Sequence, residues 1–249
     1  MIHRIAVATC LFASFAEAED KTPEPPKILA VAPLRLVVGE TQTVRLRGLK
    51  LKDVTEVRST PPMALSVKEK KDAALPNGLT PKDAGDQELV VEVIVPADCP
   101  AKTVSLEVVT PGGTTIPREF AIVPKDEEAR EKEPNNGFRE AQAWDTGKPM
   151  AGSIDADKDV DVFRVEGHAG KTLAVRVVAA AAGSLAIDPN LSVFDADGRL
   201  RSSADDSPGI GNNPQIRIVP QRDGPLFIVV SDANDRGGAW HEYRLETQP

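Results

Sequence analysis

The sequence has few of the residues on which catalytic and redox chemistry usually depends. Its 249 residues include 2 cysteines, 3 histidines, 1 tyrosine and 2 tryptophans, and aromatic residues make up only 4% of the chain. Cys10 lies in an apolar N-terminal segment, so removal of that segment would leave Cys99 alone and unable to form a disulfide within the chain. We therefore expect Cys99 to be a free thiol without a catalytic role, and the core to consist mostly of Val, Leu, Ile and Ala.

Excess positive charge and long apolar runs are also missing. The formal net charge is −8, whereas nucleic-acid binding needs a basic face that displaces counterions. The longest apolar run after the N-terminal segment, residues 173–187, contains Arg176 and Gly183, and a membrane-spanning helix needs roughly 20 apolar residues. The composition therefore argues against nucleic acid, anionic membrane surfaces and a transmembrane segment.

Motifs of hydrolytic enzymes are missing as well. The chain has no G-x-S-x-G motif, and His241-Glu242 is followed by Tyr243-Arg244 rather than by the second histidine of H-E-x-x-H. The other histidine of the mature chain, His168, stands between glycines in a predicted turn, and we expect both histidines to lie at the surface. These observations predict a protein that is not an enzyme.

The chain begins with the features of an export signal. A short polar segment, His3-Arg4, precedes an apolar run over residues 5–15, and Ala16-Glu17-Ala18 fits a cleavage site. The pattern predicts a signal peptide over residues 1–18, followed by a Pro-rich, charged tether over residues 19–26. The mature protein is then secreted, periplasmic or at the cell surface, and the sequence leaves these three open.

The first half of the mature chain has a β pattern. Val44 and Leu46 alternate with Arg45 and Arg47, as in a half-buried strand, and other short apolar runs follow between turn residues. Residues 68–86 are charged and rich in Pro and Gly, which predicts a mobile loop. No long segment has a helical period, so residues 27–123 are predicted to form an antiparallel β-sandwich.

The second half repeats this β pattern after a charged linker. Residues 124–132 have no apolar anchor and are predicted to separate two domains. Asp197-Gly198 and Asp223-Gly224 are hairpin signals, because Gly adopts positive φ at little cost. Residues 133–249 are therefore predicted to form a second antiparallel sandwich that uses Trp144 and Trp240 in its core or rim, and the predicted fold class is all-β.

Carboxylate and amide side chains alternate in two short runs at the start of the second half. In an extended strand, residues two apart project from the same side, and Ca²⁺ takes six to eight oxygen ligands of these kinds. The residues alone leave two interpretations open, a calcium site and a set of solvated turn residues. The runs are Glu131, Glu133 and Asn135, and Asp155, Asp157, Asp159 and Asp161.

The opening of the first half resembles a known family. The segment PKILAVAPLRLVVGETQTVRLRGLKL is similar to the start of an IPT/TIG-type immunoglobulin-like domain. The resemblance implies an immunoglobulin-like sandwich over residues 27–123 that acts as a spacer or a binding surface.

Three motifs of the second half, in order, resemble the bacterial pre-peptidase C-terminal (PPC) domain. They are EPNNGFREAQAW, GSIDADKDVDVFRVEGHAGKTLAVRV and RDGPLFIVVSDANDRGGAWHEYRLE. The resemblance implies a jelly-roll-like sandwich that is an appendage, commonly on secreted peptidases. It also implies calcium, which the collagen-binding members use.

Carried over by motif, the resemblance gives a set of calcium ligands. Asn136 stands where the family often has Asp, which should weaken calcium binding, and Ser153 is a further candidate. Tyr243 is the only tyrosine, so the aromatic surface expected of a collagen binder is missing. The implied ligands are Glu131, Glu133, Asn135, Asn136, Asp157, Asp159 and Asp161.

These observations predict a secreted, non-catalytic binding or adhesion-type protein at the cell surface or envelope, with calcium as its candidate cofactor. The predicted partner is a protein or polysaccharide of the envelope or extracellular matrix. The alternative is an accessory targeting module that works with a separate exported peptidase or other hydrolase.

Overall fold

The computed structural model describes residues 24–75, 79–179, 187–209 and 212–248. The predicted signal peptide, residues 1–18, and residues 19–23 of the predicted tether lie outside this part of the chain. The described residues contain nineteen strands and a single-turn helix, which confirms the predicted all-β fold. They contain no helix with the length and apolar character needed to cross a bilayer.

The first nine strands form two sheets that pack face to face, here called the first sandwich. In immunoglobulin lettering the two sheets have the orders A-B-E-D and A′-G-F-C, so the arrangement is immunoglobulin-like. One sheet has the order β1 (Lys27–Ala32), β3 (Thr41–Leu49), β6 (Gln87–Ile94) and β5 (Ala64–Asp72). The other has the order β2 (Arg35–Val37), β9 (Arg118–Val123), β7 (Thr103–Thr110) and β4 (Glu56–Thr60), with β8 (Gly113–Thr114) paired to β7.

The core of the first sandwich follows from the two-residue period of its strands. In β7 every second side chain is buried, beginning with Val104, and the three aliphatic ones among them pack with Leu46 of β3 and Phe120 of β9. Cys99 is partly buried against the same core. The sequence therefore places its aliphatic residues on the inner faces, as predicted.

The prediction of a mobile loop over residues 68–86 is wrong at its start. Residues up to Asp72 belong to β5, which pairs with β6 through a bulge between Val67 and Glu69. A one-turn helix, α1 (Pro81–Ala84), follows. Because β5 is an edge strand exposed along most of its length, its charged side chains face water on both sides. Its sequence therefore lacks the alternation of a half-buried strand.

The remaining ten strands form a second pair of sheets, here called the second sandwich. Between its sheets lie Met150, Phe163, Leu191, Ile228 and Leu245, all less than 2% exposed. The first sheet has the order β10 (Ala129–Arg130), β12 (Met150–Ser153), β19 (Glu242–Thr247), β14 (Leu173–Ala179) and β17 (Gln215–Ile218). The second has the order β11 (Gln142–Ala143), β13 (Val160–Gly167), β18 (Gly224–Asp232), β15 (Pro189–Asp195) and β16 (Leu200–Ala204).

Among the nineteen described strands, pairing is antiparallel except in three short pairs. These are β2 with β9, β10 with β12 and β11 with β13. In each pair, a strand of two or three residues at the edge of a sheet lies beside a longer strand. Part of the segment predicted as a linker therefore belongs to a sheet, since β10 falls within residues 124–132.

Polar contacts join the two sandwiches. Glu242 at the start of β19 accepts a hydrogen bond from the Leu34 backbone N–H at 3.0 Å. The buried Glu128 carboxylate lies 2.9 Å from Arg35 Nη1 and 3.5 Å from Arg244 Nε. Side chains at alternate positions of β19 thus contact the first sandwich or the segment that leads out of it.

The two tryptophans have different environments. Trp144 is buried in the second core, and its indole N–H donates to the Lys148 carbonyl at 2.7 Å. Trp240 instead packs against Ala30 and Ala84 of the first sandwich, so its predicted place in the core or rim of the second sandwich is wrong. The physical reason is its position two residues before β19, the strand that contacts the first sandwich.

Candidate metal centre

Four of the seven predicted calcium ligands come together at the entry to the second sandwich. Carboxylate oxygens of Glu131, Glu133 and Asp161 lie within 4.8 Å of one another. The Asn135 side chain lies between two of them, and both Asn135 and Asp161 are fully buried. We call these four residues the acidic centre.

Backbone pairing brings these four residues together from distant parts of the sequence. The Glu131 N–H donates to the Ala151 carbonyl at 2.9 Å, which extends the pairing of β10 with β12 by one residue. The Val162 N–H of β13 donates to the Asn135 carbonyl at 3.0 Å. The entry segment is therefore held to one strand of each sheet, and Asp161 projects between them.

Tyr243 of β19 completes the centre, and the sequence analysis did not predict this role. Its hydroxyl donates to Asp161 Oδ2 at 2.6 Å and lies 3.2 Å from Glu131 Oε2. The other oxygen of Glu131 accepts the Ser153 N–H at 2.5 Å. Ser153, a further candidate ligand, thus contributes its backbone rather than its hydroxyl.

Gly152 leaves the room that Tyr243 and Glu131 occupy. A Cβ atom at this position would lie 2.5 Å from the Tyr243 hydroxyl oxygen and 2.6 Å from Glu131 Oε2. Real Cβ atoms do not approach other atoms so closely. Only glycine therefore fits at position 152 without a movement of Tyr243 or Glu131.

The Asn135 amide provides a test of whether these residues fit a cation. One of its terminal atoms lies 3.0 Å from Asp161 Oδ1 and 3.1 Å from Glu133 Oε1. With nitrogen at this position, the amide donates to both carboxylates. With oxygen there, oxygens of three side chains converge with nothing between them to offset their charge, and a hard cation would stabilise that arrangement. The hydrogen-bond partners favour nitrogen at this position when no cation is bound, and the carboxylate and amide oxygens are ligands of the kinds that Ca²⁺ takes.

Burial governs the charge of the centre when no cation is bound. It raises the pKa of Asp161 to about 9 and the pKa of Glu131 to about 7, and the proximity of other carboxylates adds to both shifts. Burial also raises the pKa of Tyr243 well above its ordinary value, so the phenol keeps its proton and donates it. Among the described residues, no Lys, Arg or His pairs with Glu131, Glu133 or Asp161.

Without metal, the second sandwich is expected to lose stability as the pH rises. A carboxyl whose pKa is raised in the folded state contributes stability that is complete below its unfolded pKa and is lost as the pH passes its folded pKa. For Glu131 and Asp161 that loss extends from about pH 4 to about pH 9. Thermal unfolding in chelator across this range should give a falling midpoint.

Asp161→Asn is the control for this pH dependence, because it removes one of the two titrating groups and leaves the other ionisable residues in place. The wild-type midpoint should fall more steeply with pH than that of the variant. Equal slopes would show that Asp161 does not hold a proton in the folded protein at these pH values.

The other predicted ligands lie beside the centre or apart from it. A terminal atom of the Asn136 amide lies 3.1 Å from Asp159 Oδ1, next to the centre. The Asp159 carboxylate accepts the N–H groups of Asp155 and Val160 at 2.8 and 3.0 Å, so it shapes the turn before β13. Asp157 Oδ1 accepts the Gly237 N–H at 3.2 Å and belongs to a different contact.

The two histidines differ in burial. His168 is exposed, as expected, 3.9 Å from Asp223. His241 is buried, and neither ring nitrogen has a hydrogen-bond partner within the described part of the chain, so its predicted surface position is wrong. Backbone hydrogen bonds that join Ile154 to Gly238 and to His241 hold this segment against the sandwich, and burial lowers the pKa of His241.

Comparison with known proteins confirms the predicted resemblance in the second half. The family model of the bacterial pre-peptidase C-terminal domain matches residues 159–232. This range includes Asp159, Asp161 and strands β13 to β18, whereas Glu131, Asn135 and Tyr243 lie outside it. No curated protein matches the sequence.

Solved structures give distant similarities. The pre-peptidase C-terminal domain of a collagenase from Bacillus anthracis is 13% identical, with 47% of this chain and 100% of that chain covered and a TM-score of 0.34. SGBP-B from a complex xyloglucan utilization locus in Bacteroides uniformis is 15% identical, with 90% and 72% covered and a TM-score of 0.26. SGBP-B of a mixed-linkage glucan utilization locus in Bacteroides ovatus is 9% identical, with 90% and 74% covered and a TM-score of 0.28.

Proposed function

Since residues 159–232 match the bacterial pre-peptidase C-terminal domain, we propose that this chain is an exported, non-catalytic binding protein stabilised by calcium. The observation that carries the proposal is the acidic centre, in which three carboxylates and one amide converge without a basic partner in the described chain. A module appended for binding, rather than a catalytic domain, is also what the family resemblance implies.

Glu131, Glu133, Asn135 and Asp161 would hold the ion, and Tyr243 would orient two of them through its hydroxyl. When bound, Ca²⁺ supplies the positive charge that these carboxylates otherwise lack. The fold fixes the positions of the ligands, because Glu131 follows the edge strand β10 and Asp161 lies within β13. The ion would therefore tie the segment that enters the second sandwich to its second sheet.

Retention on the host envelope tests this function. The chain without its predicted signal peptide should bind an envelope preparation from its native host in the presence of calcium and dissociate when chelator destabilises the second sandwich. Retention that is equal in calcium and in chelator would contradict a role for the ion. Complete lack of retention under both conditions would contradict a binding function at the envelope.

The accessory role with a hydrolase is distinguished in the same experiment. If the chain acts by holding an exported peptidase or its substrate, proteins eluted with chelator should include that hydrolase in stoichiometric amount. The non-catalytic binding role predicts that the immobilised chain itself leaves the eluted envelope components uncleaved.

A further inference from the structure

We infer that the second sandwich binds a neutral glycan beside the Asp197-Gly198 hairpin, at a site formed by the Phe138 ring and an adjoining pocket of arginines and aspartates. The inference rests on the proposed binding function and names its ligand class. The site is separate from the acidic centre and requires none of its residues.

The aromatic half of the site is a ring held in place by two others. Phe138 is 42% exposed, and its centroid lies 4.7 Å from that of Phe227 in a stacked arrangement and 5.3 Å from that of Phe194. Phe194 and Phe227 are paired residues of neighbouring strands, so the support is rigid. The electron-rich face of an aromatic ring attracts the polarised C–H groups on the face of a pyranose.

The polar half of the site is a pocket of about 690 Å³ between the β15–β16 hairpin and the loop before β18. This volume lies in the range of small-ligand sites. Asp197 Oδ2 lies 2.6 Å from Arg222 Nη2 and 3.2 Å from Arg199 Nη1, and all three side chains are exposed by 46% or more. The charged residues that line it are Arg199, Arg201, Arg222, Asp195, Asp197 and Asp223.

Charge balance in the pocket selects a neutral ligand. Three guanidinium groups and three carboxylates line the pocket, so neither a phosphate nor an acidic chain would find an excess of the opposite charge. Arginine presents five N–H donors in a fixed plane, and a carboxylate presents only acceptors. Alternating fixed donors and acceptors suit the neighbouring hydroxyls of a sugar, each of which both donates and accepts.

Gly198 joins the two halves of the site. A Cβ atom built on this residue, which has φ of +75°, would lie 3.7 Å from Phe138 Cε2, so the hairpin tip lies beside the aromatic ring. The preceding residue, Asp197, belongs to the pocket. A chain of several sugar units could therefore stack on Phe138 and hydrogen-bond to Arg222 at the same time.

An array of immobilised neutral and acidic glycans, probed with the chain without its predicted signal peptide, tests the inference. We expect binding to neutral glycans and none to acidic ones. Phe138→Ala and Arg222→Ala should each weaken that binding about tenfold, since each removes one of the two contacts. Arg58→Ala, at an exposed ion pair of the first sandwich, is the control and should bind like the wild type.

Phe138→Ala also removes packing on two other rings, so its thermal midpoint must be measured, whereas Arg222 makes only an exposed ion pair. Binding that is unchanged in Arg222→Ala, or confined to acidic glycans, would overturn the inference. So would lack of binding to the array by a protein that is retained on the envelope, an outcome that leaves the proposed binding function standing. Lack of binding in both the glycan array and the envelope assay would contradict both the glycan inference and the proposed binding function.

Discussion

Calcium is expected to raise the thermal midpoint of the second sandwich, and chelator to lower it. A ligand that binds only the folded state stabilises it by RT ln(1 + [L]/Kd), about 2.7 kcal/mol at one hundred times Kd. Calcium sites of extracellular modules have Kd values of about 10⁻⁴ to 10⁻³ M, so millimolar calcium is needed. The physical reason is the acidic centre, in which a buried, a partly buried and an exposed carboxylate converge and have no cationic partner among the described residues.

Differential scanning calorimetry of the chain with excess calcium and with chelator measures this effect. Asp161→Asn combined with Glu133→Gln removes two of the three carboxylates and should abolish the calcium response. Asp157→Asn is the matched control, because that carboxylate contacts Gly237 outside the centre and the response should persist. A wild-type midpoint that is the same with and without calcium would contradict the calcium site. The acidic centre would then be a cluster of carboxyl groups that binds protons rather than calcium.

Gly152→Ala is expected to remove the calcium response and to destabilise the second sandwich by roughly 1–3 kcal/mol, as overpacking does. The added methyl group would occupy the space of the Tyr243 hydroxyl and of Glu131 Oε2. One of these side chains must then move, and either movement breaks the contact of the Tyr243 hydroxyl with Glu131, which orients that carboxylate toward Asp161. The same substitution therefore acts on stability and on the ion through one contact.

Urea unfolding with and without calcium separates these two effects. Gly137→Ala is the control, because a Cβ atom there meets only Glu140 Oε2, at an ordinary 3.8 Å. It should retain the calcium-dependent part of the free energy of unfolding. If Gly152→Ala responded to calcium as the wild type does, the close packing of Tyr243 on Glu131 would not be required for binding.

The sequence predicted the buried strands well because burial of one face imposes a two-residue period. β13 carries this period from Phe163 onward and β18 from Leu226 onward, and both strands were found. β5 and β16 are edge strands whose side chains are mostly exposed, so no such period marks them. The two-residue strand β10 depends on a parallel partner 21 residues away, Met150 for Ala129, and a local pattern cannot show that pairing.

The candidate site was predicted in part, and the backbone explains the difference. Alternation over residues 155–161 implies one common face only if the segment is extended throughout. Lys158 has a φ of +67°, which reverses the chain direction between Asp157 and Asp161. Asp161 therefore enters the centre from within β13, while Asp157 points to another loop. Tyr243 was missed because it is 82 residues from Asp161 and reaches it only through the sheet register.

The central position of β19 has a consequence for the order in which the second sandwich can assemble. β19 lies between β12 and β14, although both are made long before it as the chain is synthesised from its N-terminus. Until β19 emerges, β10 with β12 and β14 with β17 are two separate pieces of one sheet. Contacts so distant in sequence form slowly, and Tyr243 arrives with them. The complete acidic centre would thus be able to bind an ion only after β19 has been synthesised and has paired with β12 and β14.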